Sequence, residues 1–325
     1  MNYRKFRGGE FTISELGYGC WQLGGPSVWN GSNDADGIKA VHAAIDCGIN
    51  FFDVAPVYGF GHAEEVLGRA LKDKRDKVYV ASKCGLLWDD KYNIRNCLKP
   101  ESIFEEIDRS LKRLGTDYID IYQLHWPDPG TPLEDTLEAI VKIRDSGKIR
   151  NFGISNFSIE DSELCLKYGV VSHQCLYNML DRNSSGYHGI ELVYNAEAEM
   201  IPWCAAHDVI FIPYSPMCQG LLSDMTIEQF NAKKNDIRAA NPRFSGAEFD
   251  KLVEVRSHLT DIAHEIGKPL SQIAVSWILR FDSMGPIIFG SLNPHNIQEN
   301  AAASEYRLSD DIIKRINEHL DVLEH

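Results

Sequence analysis

Four residues could together move a proton at a carbon–oxygen centre: Asp53, Tyr58, Lys83 and His125. Asp53 lies at the end of the apolar run 49–54, Lys83 closes 78–82, and His125 closes 118–124 within Gln123-Leu124-His125-Trp126. Tyr58 sits in the loop after the first of these runs. A phenol with a pKa of ~10 is a poor proton donor at neutral pH. A nearby lysine cation favours the phenolate, and an aspartate orients that lysine and holds it charged. A histidine can hydrogen-bond a carbonyl oxygen and keep it close to the phenol. Such a set suits protonation of an alkoxide as hydride reaches a carbonyl, or the reverse. It lacks the nucleophile–base pair of a hydrolase, so acyl transfer matches less well.

Taken singly, each residue has a plainer reading: Tyr58 as a loop aromatic, His125 as a satisfied structural group, Lys83 and Asp53 as an ion pair. Together they favour chemistry, because Asp and Lys are seldom buried at strand ends without a partner.

The elements that must bring them together are legible as an alternation. Runs rich in Val, Ile, Phe and Tyr occur at 15–21, 49–54, 78–82, 118–124, 150–155, 171–177, 209–214 and 286–290. Each ends in a Gly-, Pro- or polar-rich break, as buried parallel strands do. Helical spacing fills the gaps. Ile38, Val41 and Ile45 follow Asp34; Ile103, Phe104, Ile107, Leu111 and Leu114 lie between Pro100 and Gly115. Leu133, Leu137, Ile140 and Ile143 precede Gly147, and Ile312, Ile313, Ile316 and Leu320 follow Ser309 as N-cap. Eight strand–helix units predict a (β/α)8 TIM barrel, with an open doubly wound sheet as the alternative. In a barrel the active site lies at the carboxyl ends of the strands, where the four residues fall. Residues 3–13, with Gly8-Gly9 at the middle, predict a β-hairpin plugging the barrel floor. Between Tyr214 and Pro286 lies one oversized connection, a long loop after strand 7 containing Lys233, Lys234, Arg238 and Arg243. With no repeat, low-complexity tract or linker, residues 1–325 read as one domain.

Composition narrows the function classes. Hydrophobic residues make up 44% and charged ones 25%, as in a globular chain. Net charge is −14 and no Lys/Arg-rich run stands out, so nucleic acid is not an expected partner. No apolar stretch approaches the ~18 residues of a membrane span, and the first residues show no secretory pattern, so a cytoplasmic protein is expected. Eight cysteines without a C-x-x-C pair read as buried thiols in a reducing compartment. The dinucleotide fingerprint is missing, because Gly17-Tyr18-Gly19 continues as Cys20-Trp21-Gln22 with no third glycine, and no phosphate-binding P-loop is present. A nicotinamide cofactor would have to bind by another route.

The segment 48–55, followed by Tyr58-Gly59 and by Glu64-Glu65-Val66-Leu67-Gly68, closely resembles the aldo-keto reductase signature. Ala81-Ser82-Lys83, Leu124-His125-Trp126, Gly153-Ile154-Ser155-Asn156-Phe157, Gln174-Cys175-Leu176-Tyr177-Asn178 and Pro213-Tyr214-Ser215-Pro216 follow in that family's order. The resemblance spans nearly the whole chain. Residues 58–64 and 111–117 are most similar to the bacterial general-stress-type branch, related to potassium-channel β subunits. It implies the barrel, NAD(P)H as cofactor, and interconversion of a small-molecule carbonyl or polyol, with Tyr58 as general acid/base beside Asp53, Lys83 and His125. It further implies that Ser155, Asn156 and Gln174 hold the carboxamide and that Tyr214 stacks on the nicotinamide. The stretch 215–221, with Ser215, Pro216, Gly220 and Leu221, would wrap the pyrophosphate, with Gly19, Cys20 and Trp21 also at the cofactor. Gly290, Ser291, Glu299 and Asn300 would line the adenosine end. Trp21, Trp88 and Trp126 follow strand ends and are the candidate substrate wall.

Two positions depart from the family's pattern. Val54 stands where Thr or Ser is common. The stretch 291–297 holds no Arg or Lys, whereas NADP-preferring relatives place a cation there for the 2′-phosphate. The reading therefore leans to NAD, with Arg238 or Lys234 as substitute cations. Two other classes compete: a binding protein that senses redox state through cofactor occupancy, and a metal-dependent barrel hydrolase. The four-residue set disfavours the first. The second wants several His/Asp ligands at strand ends, where only Asp53 and His125 are obvious, so no metal site is expected.

Overall fold

The computed structural model describes residues 1–26, 28–232 and 237–324. Its centre is a closed barrel of eight parallel strands in sequential order. They are β1 (Leu16–Gly19), β2 (Phe51–Asp53), β3 (Tyr79–Cys84), β4 (Ile119–Leu124), β5 (Ile149–Ser155), β6 (Ser172–Leu176), β7 (Ile210–Tyr214) and β8 (Ile287–Phe289). Each falls on a predicted run, because every run is apolar enough to be buried on both faces. The doubly wound alternative is excluded by closure: β8 pairs with β1 through Ile287↔Leu16, Ile288↔Gly17 and Phe289↔Tyr18.

Eleven α-helices occur among the described residues, of which the first five are α1 (Asp34–Asp46), α2 (His62–Ala70), α3 (Pro100–Leu114), α4 (Leu133–Asp145) and α5 (Ile159–Lys167). They pack their apolar faces on the outside of the sheet in one continuous core. Local chemistry sets their ends. Pro100 opens α3, and Gly115 closes it in the left-handed region at φ 63°. The predicted cap of the last helix is also present, Ser309 accepting from the Ile312 amide.

The N-terminal hairpin pairs Tyr3–Phe6 with Phe11–Ser14 antiparallel. Phe11 and Ile13 join the inward-facing Phe51, Ala81, Ile121, Ile210 and Ile212 in a second cluster. The hairpin thus fills the amino-terminal mouth, as expected, and leaves the opposite rim for function.

The connection after β7 differs from expectation. It is largely helical rather than one long loop: α7 (Ile227–Ala232), α8 (Gly246–Ile266) and α9 (Leu270–Ile278) follow α6 (Ile201–Ala206), and α10 (Pro294–Ala302) and α11 (Asp310–Leu320) complete the chain. Leu252, Val255, Leu259 and Ile262 face the core from α8, at the same three-and-four spacing that marked the earlier helices. All nine residues of α9 are buried, so that helix has no polar face to reveal its period. No helix among the described residues is long and apolar enough to cross a membrane, and all eight cysteines are free.

One buried carboxyl ties this shell to the strand carrying Lys83. Glu106 of α3 is 4% exposed and accepts from the Gly85 amide, just past β3, and from Ser102. Burial pushes its pKa from 4.5 up to about 7, against the pull of the Gly85 amide and Ser102. With the folded pKa above the unfolded one, Glu106 contributes stability that is full below pH 4.5 and lost as pH rises through about 7. Glu106→Gln should therefore unfold like wild type near pH 4.5 and be more stable at pH 8, by up to about 3 kcal/mol at ~1.4 kcal/mol per unit. Urea titrations at both pH values check this; equal stability at pH 8 would contradict it.

Candidate active site

Four side chains converge at the carboxyl rim from successive strands. Asp53 ends β2, Lys83 is the penultimate residue of β3, and His125 follows β4. Register puts Gly19 beside Asp53, Asp53 beside Ala81, and Lys83 beside Gln123. Tyr58 arrives from the β2–α2 loop. There Gly59, at φ 65°, touches the turn Trp21–Gly24 so closely that a Cβ would lie 2.0 Å from the Gly24 carbonyl oxygen. Only glycine permits that approach. It seats Tyr58 edge-on to Trp21, with ring centroids 4.8 Å apart.

Lys83 is fully buried and spends its three donors on Asp53 Oδ1 at 2.6 Å, Tyr58 Oη at 3.0 Å and the Val54 carbonyl at 3.2 Å. Burial works against its charge, but the Asp53 carboxylate and the hydrogen bonds outweigh that and raise its pKa. The other Asp53 oxygen accepts from Gln174 Nε2 at 2.8 Å and Gln123 Nε2 at 3.1 Å. His125 lies edge-on to Tyr58 at 6.0 Å, and burial, then the Lys83 charge, push its pKa well below 6.5. It is a neutral imidazole. No protein group among the described residues bonds its ring nitrogens.

The phenol corrects one expectation. Burial pushes the Tyr58 pKa up to about 12, and the Lys83 cation only partly offsets it. The lysine acts in the expected direction, yet desolvation is the larger effect. Tyr58 is therefore a fully protonated donor at neutral pH.

Of the residues assigned by resemblance to the cofactor, Ser155, Asn156, Gln174 and Tyr214 adjoin the four through hydrogen bonds. Asn156 donates to Ser155 Oγ at 3.0 Å and to the His125 carbonyl, while its Oδ1 accepts from Tyr214 and Tyr194. Gln174, assigned to the carboxamide, here has its amide nitrogen on Asp53. Asn156, Ser215, Cys218 and Gln219 all have φ between 44° and 64°, and Phe60 beside the Tyr58 loop has φ 56°. Non-glycine residues in the left-handed region cost about 1–3 kcal/mol each and concentrate where ligands are held. Pro216 and Leu221 are buried, and Gly220 has φ 102°. At the last strand, a Cβ on Gly290 would lie 2.1 Å from Gln22 Oε1, and the Ser291 carbonyl accepts from Tyr18. Gly19 ends β1 beside Asp53, and Cys20 follows it, its amide donating to the Asp53 carbonyl at 2.8 Å. Asn300 is buried in α10, and Glu299 accepts from Ser271 of α9.

The buried Gln22 and Gln219 side-chain oxygens, one in the turn after β1 and one in the turn after β7, have no partner among the described residues. A dinucleotide offers hydroxyl and amino donors for them, so the residues present fit such a group.

Of the candidate substrate wall, Trp21 touches Tyr58 and Trp126 packs partly against the core. Trp88 stands on a short outer hairpin, Leu86–Trp88 with Ile94–Asn96, and meets Phe60 at 5.5 Å. Of the two substitute cations, Arg238 lies over Trp29 at 5.1 Å and Lys234 lies outside the described residues, as does Lys233; Arg243 pairs with Asp181 and Glu248.

Two functional residues, Tyr187 and Gln123, carry no assignment from the sequence. Tyr187, from a second hairpin (Gly186–Tyr187 with Ile190–Glu191), lies edge-on to Tyr214 at 5.5 Å and meets Ser215 Oγ at 3.2 Å. Two-residue strands give no periodicity to find. Gln219 reaches back to Tyr187 and His188. Gln123 did carry a signal, standing two positions before His125 and so on the same face of a strand.

The aldo/keto reductase family model matches residues 15–321. The chain belongs to that family. It is 33% identical over 325 residues to the aldo-keto reductase YhdN of Bacillus subtilis (strain 168), covering 99% of this chain and 94% of that protein. It is 32% identical over 330 residues to the NADH-specific methylglyoxal reductase of Escherichia coli (strain K12), covering 97% of each. The structure of the glycerol dehydrogenase AKR11B4 from Gluconobacter oxydans superposes with a TM-score of 0.81 at 31% identity, covering 99% of this chain and 95% of that one. This aldo-keto reductase is an NAD(P)H-dependent oxidoreductase that interconverts a carbonyl and its alcohol by hydride transfer.

Proposed function

We propose that the reductase works at the rim formed by Asp53, Tyr58, Lys83 and His125, on a small aldehyde, ketone or sugar carbonyl, with NADH preferred. The supporting observation is the Tyr58 hydroxyl, 3.0 Å from the buried Lys83 ammonium and facing the open His125 imidazole. The reduced nicotinamide cofactor, when bound, would supply the hydride. Ser155, Asn156, Gln174 and Tyr214 would orient its ring, Ser215, Pro216, Gly220 and Leu221 would hold the phosphates, and Gly290, Ser291, Glu299 and Asn300 would line the adenosine end. His125 donates a hydrogen bond to the carbonyl oxygen. Tyr58 passes its proton to that oxygen as negative charge develops there, and the Lys83 charge stabilises the phenolate left behind. A phenol held near 12 is loaded for this direction at neutral pH. Alcohol oxidation has to begin by removing that proton and is the harder direction.

Small polar substrates suit the named relatives, a methylglyoxal reductase and a glycerol dehydrogenase. Trp21, Trp88 and Trp126, joined by Phe60, supply an apolar wall. Eight free thiols fit a reducing, cytoplasmic setting.

The NADH preference rests on 291–297. The stretch holds no Arg or Lys, Ser291 bonds within its own turn and Asn293 caps α10 by accepting from the His295 amide, so an Arg or Lys partner for a 2′-phosphate is missing there. Tryptophan-fluorescence titrations with NADH and NADPH test this. NADH should bind more tightly, by about tenfold for one missing charge-assisted bond at ~1.4 kcal/mol. Tighter NADPH binding would contradict the preference, and binding of neither would contradict the cofactor assignment.

A further inference from the structure

We propose that Gln123 is a positioning residue of the reductase site: its amide holds the second oxygen of Asp53 and so sets how strongly the Asp53–Lys83 pair acts on Tyr58. The inference rests on Tyr58 being the proton donor.

Gln123 is fully buried in the middle of the barrel wall, between Lys83 on β3 and Gly153 on β5. Space for it exists because its neighbour is glycine: a Cβ on Gly153 would lie 3.2 Å from Gln123 Cγ and 2.2 Å from Ser172 Oγ. Its Nε2 donates to Asp53 Oδ2 at 3.1 Å. Its Oε1 is buried with no partner among the described residues. Turning the amide over would set that oxygen against the Asp53 carboxylate, so the observed orientation is the one that charge dictates. An orphaned buried carbonyl is destabilising, and a methionine of similar length would fill the same volume without it. Packing therefore does not account for a glutamine here, whereas a donor for Asp53 does.

The electrostatic consequence follows from what surrounds the phenol. Asp53 from β2, Lys83 from β3, His125 after β4 and Tyr187 from the hairpin face Tyr58. The Asp53 charge makes the phenol harder to ionise and Lys83 makes it easier. Donors on Oδ2 spread the Asp53 charge and loosen its grip on Lys83, leaving more of that cation for Tyr58. Gln174 shares this contact but also belongs to the cofactor group, whereas Gln123 touches only Asp53 among these residues.

The test is the pH profile of kcat for alcohol oxidation at saturating cofactor. The rate should rise with pH as the phenol ionises, and the limb should fall well below 12, because the oxidised cofactor used in this assay carries a positive ring that favours the phenolate. In Gln123→Met the limb should shift up by about one pH unit, lowering kcat about tenfold below the limb, with KM unchanged. Gln123→Glu, which sets a second carboxyl against Asp53, should shift it further. A limb in Gln123→Met that coincides with wild type overturns the proposal, whatever the loss of rate, because a packing role lowers rates without moving a titration. Should Gln123→Met fail to fold, an unmoved limb in Gln123→Glu overturns it equally. Tyr58→Phe separates the two readings. A limb that persists in that variant refutes Tyr58 as the titrating group, and the role of Gln123 with it. A limb lost there but unmoved by both Gln123 variants refutes Gln123 alone.

Discussion

Tyr58→Phe is expected to lower kcat for carbonyl reduction by about 10²–10⁴-fold, the usual worth of a positioned general acid. The dissociation constant for NADH should not change. The reason is local. The phenylalanine ring keeps the edge contacts to Trp21 and His125, and the lost hydroxyl makes one hydrogen bond, to Lys83. Lys83 retains Asp53 and the Val54 carbonyl, so the buried pair stays intact. The variant should also melt within a degree or two of wild type, since one hydrogen bond is worth about 1 kcal/mol net. Steady-state rates, a fluorescence titration and a thermal melt check the three parts together. A variant that binds NADH normally and turns over at the wild-type rate would remove Tyr58 from the chemistry.

Lys83→Met should be as damaging to turnover and more damaging to the fold. Lys83 and Asp53 are 0% and 3% exposed, so deleting the cation leaves a carboxylate in the barrel with only amide donors. Breaking a buried pair from one side costs about 3–5 kcal/mol. That is a large share of the ~5–15 kcal/mol that stabilises an ordinary protein. The chemistry suffers separately, because Lys83 is the group that eases ionisation of Tyr58. The double variant Asp53→Leu with Lys83→Met divides the two effects. Removing both charges should restore part of the stability while leaving turnover abolished. Urea denaturation and steady-state assays on the three proteins measure this. Wild-type activity in Lys83→Met would contradict the assigned role.

Much of this site is written in local sequence because a barrel converts strand ends into one rim. Asp53, Lys83 and His125 each close an apolar run, so recognising the runs sufficed to bring them together. The cap at Ser309 and the stop at Gly115 were legible for the same reason, being set by neighbours a few residues away. What escaped depends on distant partners. The Tyr58 pKa is a balance between burial and Lys83, and no spacing reveals how deeply a loop tyrosine is buried. The closure of Tyr187 over Tyr214 joins a hairpin to a strand end 27 positions away in numbering, 187 to 214. The α8 stripe is regular in spacing, but Lys233, Lys234, Arg238 and Arg243 ahead of it give the segment the composition of a loop. Arg243 proved to be a structural partner of Asp181.

The most direct measurement is deuterium transfer. Wild-type protein, NADH carrying deuterium at the transferable position of the nicotinamide, and a short aldehyde are mixed at neutral pH, and the alcohol is analysed by mass spectrometry and NMR. Tyr58→Phe is run alongside. One deuterium bound to the carbinol carbon in the wild-type product, at a rate the Tyr58→Phe protein does not approach, is the predicted result. NADH that binds yet delivers no deuterium, or equal transfer by both proteins, would contradict a hydride-transfer site built around Tyr58.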